Sequence, residues 1–468
     1  MRLNELTIEE AEKGLQKREF SCQELVRDCL KRIEETDDKI KAFVTVCDDE
    51  ALSLAREKDD RGDFSQPLAG IPLAVKDNFC TKGIKTTASA KILANYTPPY
   101  SATVVERLEK AGAIVLGKTN MDAWAHGSST ETSQFFTTRN PWNVERLPGG
   151  SSGGSAAAVV ADQVIGSIGS ETAGSIRQPA SWCGVVGCKP TYGRVSRYGL
   201  IAMVSSLDCP GPITKRVRDA ALILQVIAGK DERDATATIR NVDQYVSEKT
   251  RGIKNLRVGF CQDYFAEGMS EEIRETTQKA LRVFEKAGAK IKEVKLLSPK
   301  YTMAVYTIIQ RAEVSSNLAR YDGTRYGTGR EDFGDEAKRR IMFGTYTLSA
   351  GYYDQYYLKA QKVRRLIIED FRKAFKKIDI LVAPTTPVTA LPVGATKNEP
   401  LFGEIQDILT EPSSLAGLPA VSLPAGFDRQ GLPIGVQMIG PQFSEALLLE
   451  AAFFWEQVTK YYQQKPKL

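Results

Sequence analysis

Near the start of the chain, polar and apolar residues alternate at helical spacing. Ser21 and Glu24 form an S-x-x-E capping box in front of "LVRDCLKRIEE", and "DDEALSLAREKDD" is a second amphipathic segment. Residues 1–62 therefore read as a helical N-terminal portion. The pattern then changes. "GIPLAVKDNF" is a short apolar run ending at Lys76 and Asp77, "ATVVERLEKAG" sets Val104, Leu108 and Ala111 at helical spacing, and "AIVLGK" is again strand-like. Further on, "RVRDAALILQVIAGK" predicts a helix, "LRVGFC" a strand, "SEEIRETTQKALRVFEKAG" a helix and "AKIKEVKL" a strand. A helical stretch from Tyr301 to Lys377 is broken by the loop "YDGTRYGTGREDFGD". The end returns to strands at "DILVAPTTP", "AVSLPAGF" and "IGVQMIG", with a last helix from Ser444. This alternation, without an internal repeat or a low-complexity linker, predicts one α/β domain over 1–468, with a core at 63–230 and the remainder at 231–468.

Composition narrows the class. The 468 residues are 42% hydrophobic and 26% charged, as in a soluble globular protein. A net charge of +5 is small beside 63 basic and 58 acidic residues, and no basic block reads as a nucleic-acid arm. The eight cysteines show no CxxC pair, and with one histidine in the chain no Cys/His zinc site is expected. The first residues, "MRLNELTIEEAEKG", lack the pattern of a signal peptide, and no apolar run approaches the ~20 residues of a membrane span. The expectation is a reduced, cytoplasmic protein with buried thiols.

Candidate chemistry gathers in "PGGSSGGSAAAVVADQVIGSIGSETAGSIRQP", residues 148–179. It matches neither G-x-x-x-x-G-K-[ST] nor G-x-G-x-x-G, so a phosphate cradle is disfavored. The apolar "AAAVVADQVIGSIG" is unlike a flexible linker. Serines between glycines are ordinarily turn formers, and a serine attacks only where a base takes its proton. The single histidine, His126 in "DAWAHGSST", has no acidic context that singles it out as that base. Lys76 closes the apolar run "IPLAV", and an amine placed in such surroundings is pushed toward its neutral form, which makes it the alternative base.

Taken together, "GIPLAVKDNFCTKGIKTT", "PGGSSGGSAAA" and "GSETAGSIRQPASWCGVVGCKPTYGRVSRYGL" resemble the amidase signature family, in order along most of the chain. The resemblance implies the family's α/β fold, a large mixed central β-sheet with helices on both faces. It also implies a Ser–Ser–Lys triad: Ser175 as nucleophile, Ser151 as bridging serine after a cis peptide bond, and Lys76 as base. Backbone N–H groups of Thr172, Ala173, Gly174 and Ser175 would form the oxyanion hole.

A closer resemblance lies in "AEVSSNLARYDGTRYG", "KRRIMFGTYTLSAGYYDQYYLKAQKVR" and "DILTEPSSLAGLPAVSLPAGF", which look like the A subunits of glutamyl-tRNA(Gln) amidotransferases. That implies a glutaminase feeding ammonia to a B subunit, which uses ATP and Mg to amidate Glu-tRNA(Gln) or Asp-tRNA(Asn), with a small C subunit completing a heterotrimer. No cofactor or metal is expected in this chain, and contact with tRNA would be indirect. Arg340 in "KRRIM" and Asp407 in "EIQDIL" match the positions that hold the α-carboxylate and α-ammonium of glutamine. Tyr306 and Ser128 match pocket residues. The chain departs from the family's usual "DTGGS" with Glu171 and Ala173, from methionine with His126, from phenylalanine with Trp124, and from "SLDQIGP" with "SLDCPGPIT". A Cβ at Ala173 would crowd the oxyanion hole if that residue needed φ > 0. The alternative reading is a stand-alone amidase of the same family acting on a small-molecule amide.

Overall fold

The capping box read at Ser21 forms: the Ser21 hydroxyl accepts from the Glu24 N–H, and the Glu24 carboxylate accepts from the Ser21 N–H. It opens a helix over Cys22–Ile40, and a second box, Thr7 with Glu10, opens another over Ile8–Lys17. The computed structural model describes residues 2–246, 252–265, 268–324, 327–397 and 399–468. Arg325 and Tyr326, in the loop expected after Tyr321, lie outside them.

The strands are β1 (Phe43–Val46), β2 (Pro72–Lys76), β3 (Ile114–Thr119), β4 (Gly166–Glu171), β5 (Val186–Lys189) and β6 (Cys209–Thr214). After them come β7 (Arg257–Phe260), β8 (Lys290–Glu293), β9 (Ile380–Pro384), β10 (Ala420–Phe427) and β11 (Pro433–Ile439). They form one mixed sheet in the order β1-β3-β2-β4-β6-β5-β10-β11-β9-β7-β8. Side chains alternate across a strand, so a sheet covered on both sides feeds two cores. β9 shows this: Ile380 and Val382 join one hydrophobic cluster, Leu381 and Ala383 the other. The helices at Ile8–Lys17, Cys22–Ile40 and Glu271–Lys286 pack into the first cluster, and those at Pro299–Asn317 and Lys359–Ala374 into the second.

Two features depart from the sequence reading. The N-terminal portion is not all helix: Phe43–Val46 is the edge strand β1, paired antiparallel with β3. Four residues are too few for an alternating pattern to stand out. The stretch 166–214 also holds three strands that periodicity does not reveal. β4, "GSIGSE", is buried on both faces and carries no alternation, because a Cβ at Gly169 would meet Ser152 Oγ at 2.9 Å and Ile213 Cδ1 at 3.1 Å. β6 contains Pro210 and Pro212, which argue against a central strand. β5 pairs with β6 only at Val186↔Thr214 and Gly187↔Ile213, so both prolines lie where β6 is paired on one side alone.

What positions the site is the parallel pairing of β2 with β4. Both strands end at the same edge, and the carboxyl ends of parallel strands are where open α/β sheets build sites. Lys76 is the last residue of β2 and Glu171 the last of β4.

Candidate functional site

Lys76 is fully buried, and its Nζ donates to Ser151 Oγ at 2.7 Å and to the Ser170 carbonyl at 3.1 Å. Burial lowers its pKa from the ordinary lysine value to about 7, against the opposing pull of the Asp122, Asp208 and Glu171 carboxylates. None of these carboxylates forms an ion pair with the amine, so Lys76 is the unpaired kind of buried lysine that gives up its proton readily. Asp122 and Asp208 carry no signal in the sequence; they sit in "NMDAW" and "SLDCP", and only the fold brings their charge near Lys76. Asp208 also accepts from the Thr172 hydroxyl at 2.7 Å and from the Met203 and Val204 N–H groups, and burial raises its pKa to about 6.

Ser151 follows a cis peptide bond from Gly150, as the family resemblance implied, and stands just ahead of a helix over Gly153–Val160. Ser175 lies in the loop between β4 and a short helix over Arg177–Cys183. The two serine segments are tied by the Ser152 N–H donating to the Ser175 carbonyl at 3.2 Å. No hydrogen bond joins the Ser151 and Ser175 hydroxyls, and contacts of this kind commonly tighten only around substrate. Ser175 is 4% exposed.

The loop that carries Ser175 is fixed from within by Glu171 and Arg177. Glu171 accepts from the Ile176 and Arg177 N–H groups, each at 3.0 Å, and from Arg177 Nε at 2.8 Å. Arg177, fully buried, also donates to the Ala173 carbonyl, the Thr410 carbonyl and the Ser413 and Ser414 hydroxyls. The departure to glutamate thus lands on a carboxylate that anchors the loop. These contacts leave the N–H groups of Ala173, Gly174 and Ser175 without an acceptor among the described residues. Ala173 is not among the residues with positive φ, and its side chain packs into the second core, so the left-handed backbone that would press its Cβ on the oxyanion donors is not what this loop adopts.

Gly174 is the glycine this loop requires. A Cβ there would stand 2.3 Å from Asp407 Oδ1 and 2.4 Å from Thr410 Oγ1. Gly174→Ala is expected to displace Asp407 and the loop together. Amide turnover should fall by about 100-fold or more, as for the loss of an oxyanion donor. Steady-state ammonia release, with the melting temperature as control, checks it.

The same contact shows how the substrate-binding candidates meet. Ser128 Oγ donates to Asp407 Oδ2 at 2.8 Å, and Asp407 Oδ1 is left without a partner among the described residues. Burial pushes the Asp407 pKa well up, with the Ser128 hydrogen bond opposing. Arg340, on the helix over Asp335–Leu348, is buried and ion-paired to Glu336 one turn earlier; the neighboring Arg339 has a side chain 35% exposed and is the outward residue of the two. Tyr306, buried on the helix over Pro299–Asn317, feels the charges of Arg340, Glu411, Asp407 and Glu404. A cavity of 510 Å³ is lined by His126, Ser128, Arg340 and Glu404 among others, and by none of Lys76, Ser151, Ser175, Tyr306 and Asp407. It is therefore an outer chamber, with Ser128 and Asp407 standing between it and the Gly174 loop.

His126 is fully buried, and burial together with Arg340 and Arg311 holds its pKa well below the usual value, so the ring is neutral. Its ring nitrogens have no hydrogen-bond partner among the described residues, and it lies off the Lys76–Ser151 contact. No group of three or more His, Cys, Asp or Glu residues is arranged to hold a metal ion among the described residues.

A buried lysine, a serine in contact with it and a second serine beside backbone N–H groups that have no acceptor among the described residues are the parts that a serine-type hydrolase working without histidine requires. The comparisons agree with that class. The family model described as "Amidase" matches residues 24–449, and the chain belongs to this family. Among its relatives is the A subunit of the glutamyl-tRNA(Gln) amidotransferase of Halothermothrix orenii, 52% identical over 484 residues and covering 100% of each chain. The crystal structure of the corresponding subunit from Thermotoga maritima is 44% identical, with a TM-score of 0.82 over 96% of this chain and 93% of that one. A 6-aminohexanoate cyclic dimer hydrolase superposes at a TM-score of 0.89 with 26% identity, each chain being 99% covered.

Proposed function

We propose that this chain is the glutaminase subunit of a tRNA-dependent amidotransferase. It hydrolyzes glutamine through a Ser–Ser–Lys acyl-enzyme and supplies ammonia for amidation of Glu-tRNA(Gln) or Asp-tRNA(Asn). The observation that carries the chemistry is the buried Lys76 amine, poised near neutrality, 2.7 Å from Ser151. Ser175 Oγ attacks the side-chain amide carbonyl of glutamine, its proton passing to Ser151 while the Ser151 proton passes to Lys76. The charge that develops on the carbonyl oxygen meets the N–H groups of Thr172, Ala173, Gly174 and Ser175, donors already fixed by the Glu171–Arg177 anchor. When the tetrahedral intermediate collapses, the relay runs backward and protonates the departing nitrogen, which leaves as ammonia. Water then cleaves the acyl-enzyme by the same route.

Glutamine is selected by its two charged ends. Arg340 takes the α-carboxylate with its planar fork, Asp407 takes the α-ammonium on its free Oδ1, and Tyr306 and Ser128 line the space between. Relatives at about half identity over the full length are named as subunits, which supports work in a complex with other amidotransferase subunits. By this proposal these are a B subunit, which holds ATP and Mg, and a C subunit, giving a heterotrimer in the cytoplasm. This chain needs no cofactor of its own. No helix among the described residues is long and apolar enough to cross a membrane.

The test is a substrate panel run on the chain alone and with its partner subunits and Glu-tRNA(Gln). Glutamine turnover that rises sharply in the full assembly is the expected result. Efficient hydrolysis of simple amides without glutamine turnover overturns the assignment.

A further inference from the structure

Beyond Asp407, the structure leaves a second buried carboxylate with nothing to bind. Glu411 is fully buried at the start of a helix over Glu411–Leu415, and neither of its carboxylate oxygens has a hydrogen-bond partner among the described residues. It directly follows Thr410, whose hydroxyl donates to the Asp407 carbonyl at 2.8 Å and stands against the Gly174 loop. Burial, with the Asp407 and Glu404 charges beside it and Arg311 opposing, pushes its pKa well up, and it acts with Asp407 on Tyr306.

Charge balance separates Glu411 from its neighbors. Glu404 is paired with Arg311 at 2.9 Å, and Arg340 with Glu336. No such partner among the described residues reaches Glu411 or Asp407 Oδ1. The atoms without a hydrogen-bond partner on this side are mostly acceptors: Asp407 Oδ1, both Glu411 oxygens, Gln406 Oε1 and the two Glu404 oxygens, of which only Glu404 has a counter-charge, in Arg311. A buried carboxyl keeps its negative charge only with a counter-charge or donors, and a primary ammonium brings a positive charge and three donors on one small atom. The neutral His126 ring, fully buried with both nitrogens unpartnered, adds an acceptor in the wall of the 510 Å³ chamber.

We propose that Glu411 is a second binding residue for the substrate's ammonium group, acting beside Asp407, and that the pair makes this site selective for amides bearing a free α-amine. The inference rests on the glutaminase reading and adds a residue that sets specificity within it. A zwitterionic ligand brings the cation that lets these carboxyls ionize, whereas the same ligand without its amine leaves both in the protonated form that burial favors.

The experiment compares L-glutamine with glutaramic acid, its analogue lacking only the amine, by calorimetric titration of the full chain carrying Ser175→Ala. With the pocket intact, glutamine is expected to bind far more tightly. Adding Glu411→Gln should shrink the preference for glutamine over glutaramic acid by about tenfold or more, the effect of losing a hydrogen bond to a charged group. Glu411→Met, similar in length but without polar atoms, should shrink it likewise and serves if the glutamine variant does not fold. A preference unchanged in whichever of these variants folds overturns the proposal, because Asp407 alone then reads the ammonium. If the Ser175→Ala chain binds neither ligand in the assembled complex, it is the glutaminase reading that falls.

Discussion

Ser175→Ala is expected to abolish ammonia release from glutamine, lowering kcat by more than about 10⁴-fold, as removal of a serine nucleophile does in other hydrolases. The fold should be untouched. The Ser175 hydroxyl makes no hydrogen bond to the described residues, and the contact that ties the two serine segments uses the Ser175 carbonyl, which alanine keeps. The expected result is therefore a melting temperature within a degree or two of the parent and no turnover above background. Full glutaminase activity in the variant would remove Ser175 from the mechanism. Ser151→Ala is a different change, since it takes away the oxygen that Lys76 contacts at 2.7 Å.

The second large effect concerns Lys76 and pH. Its folded pKa is lowered to about 7 from the ordinary 10.5, so the neutral amine that accepts a proton accumulates as pH rises through 7. The kcat/KM for glutamine is expected to climb tenfold per unit below that midpoint and to level off above about pH 8. Asp208, raised to about 6, titrates lower, so the upper midpoint belongs to the lysine. The linkage to stability has a definite sign. Between about 7 and 10.5 the unfolded chain holds a proton on Lys76 that the folded chain does not, so this residue's contribution makes stability rise with pH across that window. The cost of burying the ammonium is greatest at low pH and fades as the unfolded lysine also loses its proton. Lys76→Met should accordingly destroy activity while keeping or raising the melting temperature at pH 7. Circular dichroism melts at two pH values, beside a pH–rate profile, test both halves. A midpoint near 10, or activity surviving in the methionine variant, would dismiss Lys76 as the base.

Much of the fold was legible where periodicity is strong. The capping box at Ser21, the strand ending at Lys76 and the last helix after Ser444 stand where the sequence put them. The strands that build the site were the ones missed. β4 is rich in glycine and serine, which suit close packing against the Gly153–Val160 helix, and β6 holds two prolines where it is paired on one side alone, and neither purpose writes an alternating pattern. β1 was missed for brevity alone. In the site, the apolar run before Lys76 pointed to a neutral amine, and its complete burial agrees. The question of crowding at Ala173 turned on its φ, which lies outside the left-handed region. The Glu171–Arg177 anchor and the orphaned Glu411 had no local signal, because their meaning depends on partners up to 260 positions away or on having none.

Local sequence determined the chemical inventory: a lysine at the end of an apolar strand, serines among small residues and a lone histidine without an acidic neighbor, while the charged residues expected for two ends of a zwitterion came from the family resemblance alone. Local order along a chain carries hydrophobic period, caps and turn chemistry, and these are what it could express. Tertiary structure decided which charges face which. It buried Lys76 among three carboxylates without pairing it, stripped His126 of partners and left Asp407 and Glu411 uncompensated among the described residues. Desolvation and Coulomb interaction depend on distances in three dimensions, and residues far apart in sequence come within those distances only when parallel β2 and β4 bring their ends together.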